Sequence, residues 1–241
     1  MHGCIVNDWF DSRQHLPQKP IEIHSIISDE EISQWSVTST KLAGVKELTD
    51  IQFLNETCGW VATDEGSLYK TMDGARTWQH INVEPLQGGR IESISFVNCS
   101  LGWIVQRNDR ESRVLNTNDA GLNWHVQYSN KSAHISSVRF VNDHEGWIIG
   151  IAFNESNKPP KLSPIALHTT DQGAYWTNIS ANLEQAASST NVTDIYAIEP
   201  SKAMILTEAG RVFHTEDSGQ AWRQIVAMES NSDQTYFSHL G

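Results

Sequence analysis

Thr71–Trp78 reads TMDGARTW, and its arrangement returns three times: TNDAGLNW at Thr117–Trp124, TTDQGAYW at Thr169–Trp176 and TEDSGQAW at Thr215–Trp222. The acids Asp73, Asp119, Asp171 and Asp217 stand 46, 52 and 46 residues apart, each with a tryptophan five places on. Working outward, each copy is preceded by three short apolar segments and followed by a fourth. The first begins at Ile51 (IQFLN), Ile94 (ISFVN), Val138 (VRFVN) and Ile195 (IYAIE), and in three copies a Gly-Trp pair opens the second. Four short segments of period-two pattern per repeat, at a period near 48 residues, are the signature of a β-propeller blade.

The ends carry partial copies. Ser28–Trp35 (SDEEISQW) reads as a degenerate box, with Ile21–Ile27 before it as a third strand and Gly3–Val6 as a second. Thr235–Phe237 follows the last complete copy and suits a lone first strand. The expectation is an all-β propeller of five four-stranded blades, closed by pairing the C-terminal strand with the N-terminal part-blade, which removes open sheet edges. The blades would be residues 1–40 with 233–241, 41–85, 86–130, 131–182 and 183–232, in one domain. A propeller cut in mid-blade at both ends accounts for the same pattern.

The chain has 241 residues, 39% of them hydrophobic, enough for a sizeable core. A formal net charge of −12 argues against nucleic acid and against an anionic membrane surface. No apolar run reaches the roughly 18 residues of a membrane span, and no signal peptide is visible. Cys4, Cys58 and Cys99 are odd in number and lack a C-x-x-C spacing, so neither a disulfide framework nor a zinc site is expected.

The TMDGARTW type of turn resembles the Asp-box, or BNR repeat, of sialidases, sortilin-type receptors and xyloglucanase-like glycosidases. The order FVN…GW…T-x-D-x-G-x-x-W is most similar to the Ycf48/Hcf136-like photosystem II assembly factors and their bacterial relatives, over nearly the whole chain. The resemblance implies a non-catalytic, protein-binding assembly factor. It also implies export, to the periplasm or an equivalent. A glycan-binding or glycoside-hydrolysing propeller is the alternative. Against catalysis, the early Phe/Tyr-Arg-Ile-Pro motif of sialidases is absent, and four boxes around a ring cannot converge on one substrate.

The box residues Thr71, Asp73, Trp78, Thr117, Asp119, Trp124, Thr169, Asp171, Trp176, Thr215, Asp217 and Trp222 are therefore read as structural. Each carboxylate should accept backbone N–H groups of its own turn, each glycine should serve that turn, and each tryptophan should pack into or between sheets. Lys70, Asn116, His168 and His214 share the slot before the box threonine, read as a solvated strand position. Asp50 and Asp194 begin two first strands near the axis, read as polar caps rather than an acid/base pair. No catalytic residue, metal site or cofactor is expected.

Binding should fall on one end of the ring. Turns between first and second strands are uniform, and so are the boxes. Length variation gathers on the opposite end, in Asn7–Pro20, Gln106–Arg113, Phe153–Pro164 and the connection Ser180–Val192. Variable loops on a rigid scaffold are where binding residues sit. The candidate face holds Trp9, Phe10, Arg107, Arg110, Arg113, Lys158 and Lys161, with another protein as the expected partner and a glycan as the lesser possibility.

Overall fold

The structure is a computed structural model that describes residues 22–28, 35–42, 45–84, 89–154, 161–187 and 191–227. Four antiparallel four-stranded sheets follow one another along the chain. The first holds β3 (Leu48–Phe53), β4 (Gly59–Thr63), β5 (Leu68–Thr71) and β6 (Gln79–Ile81). The second holds β7 (Arg90–Phe96), β8 (Gly102–Arg107), β9 (Ser112–Thr117) and β10 (His125–Asn130). The third holds β11 (Ala133–Phe140), β12 (Gly146–Asn154), β13 (Lys161–Thr169) and β14 (Thr177–Asn178). The fourth holds β15 (Val192–Glu199), β16 (Lys202–Thr207), β17 (Arg211–Thr215) and β18 (Arg223–Ala227). Ahead of them β1 (Glu22–Ser28) and β2 (Trp35–Lys41) form a two-stranded hairpin, the third and fourth strands of the degenerate copy. The segments Gly3–Val6 and Thr235–Phe237 lie outside the described residues.

The FVN and GW elements lock each blade to the next. Phe53, Phe96 and Phe140 pair across their hairpins with Gly59, Gly102 and Gly146. The ring lies flat over the glycine: a Cβ at Gly102 would stand 2.1 Å from the Phe96 ring, and one at Gly146 2.6 Å from Phe140. The other face of the ring receives the Gly-Trp tryptophan of the preceding blade. Trp60 stacks on Phe96 at 3.9 Å and Trp103 on Phe140 at 3.4 Å, both 5° from parallel. All three tryptophans (Trp60, Trp103 and Trp147) are fully buried. The fourth blade substitutes Ala197 paired with Ala203, and Trp147 instead meets Trp222 edge-on at 6.3 Å. The three main hydrophobic clusters each straddle two consecutive sheets, so the core lies between blades.

Near the axis, side chains of the first strands do what ladder hydrogen bonds do within a sheet. Gln52 accepts from the Phe96 N–H at 2.7 Å and donates to the Phe96 carbonyl at 3.0 Å. Ser95 accepts from the Phe140 N–H at 2.9 Å. Arg139 donates back to the Ile94 carbonyl at 2.8 Å. Backbone polar groups that would be orphaned between blades are thereby satisfied.

Four expectations are corrected. Cys58 and Cys99 form a disulfide that joins the a–b turns (first to second strand) of the first two blades, with Cα atoms 6.4 Å apart. Repeat geometry brings equivalent turns together, which residue counting could not see. At three of its four positions the slot before the box threonine is not solvated: Lys70, Asn116 and His168 are buried over or beside the Gly-Trp tryptophan of their own blade, while His214 is partly exposed. Lys70 donates to the Cys99 carbonyl at 2.8 Å, and His168 meets Glu145 at 3.1 Å. Asn116 donates to the Gly102 carbonyl of its own sheet at 3.1 Å, so each of the three buried residues has a hydrogen-bond partner. Both described ends of Phe153–Pro164 are strand: β12 and β13 stay in register out to Asn154 and Lys161, with Pro164 opposite Ile151. Finally, Ser180–Ala187 (SANLEQAA) is a helix, α1, where a loop was expected. Ala, Leu, Glu and Gln favour helix, and the Asn178 side chain accepts the Ser180 N–H at its start.

Candidate functional site

The boxes are built alike. In each, the threonine hydroxyl donates to the aspartate at 2.8–2.9 Å and accepts the N–H four residues on. The aspartate in turn accepts the N–H four residues beyond itself at 2.9 Å. Hydrogen bonding holds all four carboxylates below the usual pKa: foremost the Thr77 hydroxyl at Asp73, which drops to about 2, and the Asn123 amide at Asp119, and the backbone N–H four residues on at Asp171 and Asp217. Both residues after each aspartate take positive φ. Three boxes place glycine in the second of these positions, whereas the first places Gly74 in the first and Ala75, at φ 66°, in the second. A Cβ on Gly121, Gly173 or Gly219 would strike Ile81, Gln127 or Ile179 of the preceding blade at 2.3–2.6 Å. Box glycines thus serve blade packing as well as the turn. The boxes' chemistry is internal, and nothing in them is aimed at a ligand.

The end of the ring that carries the b–c loops (second to third strand) and d–a connections (fourth strand to the next blade's first) differs. All four first strands carry a register shift at one slot, occupied by Thr49, Glu92, Ser136 and Thr193. A bulge of this kind re-aims the side chain it carries. Three of these residues line one cavity of about 270 Å³ with Arg107, His134, Ile135, Ile151, Val192 and Glu208. Arg107 closes on Glu92, with Nε 2.6 Å from Oε1, and Arg90 approaches the same carboxylate at 3.3 Å. Burial, then the Arg107 charge, hold the His134 imidazole below its usual pKa, and its ring lies edge-on to Phe153. Glu208 accepts from the Asn191 side chain at 2.7 Å. The cavity therefore presents a guanidinium, two carboxylates, a neutral imidazole and small hydroxyls. Of this set the sequence reading named only Arg107; the bulge was the missing signal, since it exists only in the pairing of two strands.

The expected arginines do not converge. Asn108–Glu111 is a tight turn in which Asn108 accepts the N–H groups of Arg110 and Glu111. Arg107 pairs across it with Ser112, so Arg113 projects from the opposite side of the sheet. There it binds Glu111 at 3.0 Å, which also accepts from Ser129. Arg110 is exposed at the tip. Lys161 ends the third-blade hairpin opposite Asn154. Trp9, Phe10 and Lys158 lie outside the described residues.

At the axis, Asp50 accepts the N–H groups of Ile51 and Ile94, both at 2.8 Å, and faces Arg139 at 3.9 Å. Burial raises its pKa in spite of these partners, and Asp194 adds a smaller push upward. Asp194 accepts from the Ile195 N–H and the Ser137 hydroxyl. Both carboxylates are used in joining or ending strands. Among the described residues no group of three or more His, Cys, Asp or Glu side chains is placed to hold a metal, and no helix is long and apolar enough to cross a membrane.

Residues 27–126 and 89–235 match the family described as photosynthesis system II assembly factor YCF48. The photosystem II assembly protein Ycf48 of Synechococcus sp. (strain JA-2-3B'a(2-13)) is 31% identical over 154 residues, 62% of this chain and 40% of that protein. The photosystem II assembly lipoprotein Ycf48 of Synechococcus sp. (strain CC9902) is 27% identical over 153 residues, with the same shares. The alignments span about two fifths of these relatives' length. Among solved structures, YCF48 from Cyanidioschyzon merolae shares the fold with a TM-score of 0.57 at 15% identity, covering 76% of this chain and 57% of that one. The family match takes in all four complete repeats and the box of the partial one, which are the blades seen in the structure: the chain belongs to the photosynthesis system II assembly factor YCF48 family.

Proposed function

We propose that this chain is a non-catalytic binding module of the assembly-factor type, with another protein as its ligand. The observation that carries this reading is the bulge-lined cavity at the b–c end. Its Arg107, Glu92, His134 and hydroxyl groups suit polar and charged side chains of a partner, and arginine is among the residues that interface hot spots favour. The names of the two Synechococcus relatives support an assembly role in photosystem II, and the name lipoprotein of one supports an exported location. With the chain at −12 overall, the exposed Arg110 tip supplies a local cation that can orient a partner's acidic segment.

The test is capture from native extract by the chain and by three single variants. Arg107→Ala and Arg110→Ala should lose a specific protein that the parent retains. Arg113→Ala, on the opposite side of the sheet, should keep it. Equal capture by all four would remove the b–c end from the reading.

A further inference from the structure

The end of the ring that carries the boxes is built as one platform. Each box hangs on the a–b turn of its own blade: the N–H groups of Gly74, Ala120, Gln172 and Ser218 donate to the carbonyls of Thr57, Ser100, His144 and Ser201 at 2.8–3.0 Å. Lys70 then reaches the Cys99 carbonyl of the second blade, and Gln127 the Gln172 carbonyl of the third at 3.0 Å. A surface held in this way loses little freedom when a partner settles on it. Between the a–b turns of the second and third blades it is indented by a groove of about 430 Å³, lined in part by Val97, Asn98, Val141, Asn142 and Asp143. Asn98 and Asn142 each spend the side-chain oxygen on two N–H groups of their own turn. Their amide NH2 groups have no partner among the described residues and are free to donate.

The charge around this groove has one sign. Residues 97–103, 116–125, 141–147 and 168–177 make up this end of the two blades, and they contain Asp119, Asp143, Glu145 and Asp171 but no lysine or arginine. Hydrogen bonding keeps Asp119 and Asp171 below the usual carboxylate range, so both stay ionised. Asp143 is exposed, with the His144 imidazole 3.7 Å away. The hydrogen bonds of the two boxes are internal, so what their tips offer a partner is surface. Leu122 is 77% and Tyr175 71% exposed. One such side chain needs no explanation. Here there are two, on the boxes hung from the same two turns that form the groove. We propose that this sector is a second docking surface, independent of the cavity at the b–c end, and that it takes a basic, partly apolar segment of another protein. A lysine or arginine of the segment meets Asp143, its backbone carbonyls accept from Asn98 and Asn142, and its apolar side chains rest on Leu122 and Tyr175. The partner's charge is set by complementarity: an acidic segment would meet carboxylates with no cation to offset them.

Fluorescence anisotropy with the full chain tests this. The probe is a short labelled peptide with the core Arg-Leu-Arg-Val in a Gly-Ser background, compared with cores of Glu-Leu-Glu-Val and Arg-Ser-Arg-Ser. The first should bind at low ionic strength and weaken as salt is added. The acidic core should bind at least about tenfold more weakly, and the serine core at least about threefold. Asp143→Lys should weaken the first peptide at least about tenfold, and Leu122→Ser with Tyr175→Ser at least about threefold. Glu65→Lys makes the same change in net charge on the exposed b–c turn of the first blade, beside Lys46, and should keep the affinity within about twofold. Equal loss in Glu65→Lys and Asp143→Lys would reduce the effect to net charge and overturn the proposal. So would undiminished binding by Asp143→Lys, no preference for the basic apolar core over either counterpart, or no binding at all. If circular dichroism shows that Asp143→Lys does not fold, Asp143→Asn is read in the same way.

Discussion

At the scale of single residues, the Phe–Gly pair shows how little freedom the repeat leaves. Gly102 has the Phe96 ring where its side chain would be, and the ring cannot retreat because Trp60 holds its other face. Gly102→Ala should destabilise the protein by about 2–3 kcal/mol through overpacking, measured by urea unfolding. The fourth blade offers the internal control, since Ala197 opposite Ala203 makes the same small residue harmless there. In a Phe96→Ala background the glycine substitution should therefore cost much less, a coupling of order 1–3 kcal/mol in a double-mutant cycle. A second residue-scale case is His168. Burial lowers its pKa against the pull of Glu145 and the Pro200 carbonyl, so the folded protein keeps the imidazole neutral. As pH falls below the ordinary value of 6.5, the unfolded chain takes up the proton first. Stability should decline from there until the folded-state pKa is also passed. His168→Asn, the residue its slot holds in the second blade, should flatten that part of the stability–pH curve.

At the scale of the element, the box turn is a closed hydrogen-bonding circuit, which explains why its acid is not available for chemistry. The four carboxylates have depressed pKa values, so their contribution is complete above the unfolded value of 3.8 and is lost as pH falls through the folded one, about 2 for Asp73. Acid unfolding followed by circular dichroism should steepen between these limits. Asp73→Asn should remove part of that dependence while leaving the behaviour above pH 5 without slope from this site. The bulge at Thr49, Glu92, Ser136 and Thr193 is the other recurring element. It costs one ladder position per blade, and in three of the blades the re-aimed residue lines a charged cavity.

At the scale of the whole molecule, consecutive sheets are joined by apolar clusters, by polar side chains at the axis and once by a covalent bond. The Cys58–Cys99 link closes a separation of 41 residues and ties the a–b turns of the first two blades. Loop-closure entropy assigns such a crosslink about 3–4 kcal/mol. Reduction should lower the thermal midpoint, and Cys58→Ser should show the lower midpoint with or without reductant. Lys70 donates to the Cys99 carbonyl beside the bond, so Lys70→Met should loosen the same junction even when the crosslink is intact.

The propeller architecture, its repeat length and the box turns were legible in the sequence. They depend on periods of two and of about 48 residues and on glycine and aspartate at fixed offsets, all of which are local. The four described sheets, and β1–β2 as a third and fourth strand, follow from that pattern. What the chain order alone could not decide was every relation between blades. A residue such as Lys70 or His168 looks solvated when its neighbours are counted along the strand, and is buried because another turn lies over it. Arg107 and Arg113 look clustered along the chain and separate because a tight turn puts them on opposite sides of a sheet. Cys58 finds Cys99, and Glu92 finds Arg107, Ser136 and Thr193, only when strands pair and sheets stack. Periodicity determines how each blade is made; the distances between blades, on which burial, charge pairing and the cavity depend, exist only in the assembled fold.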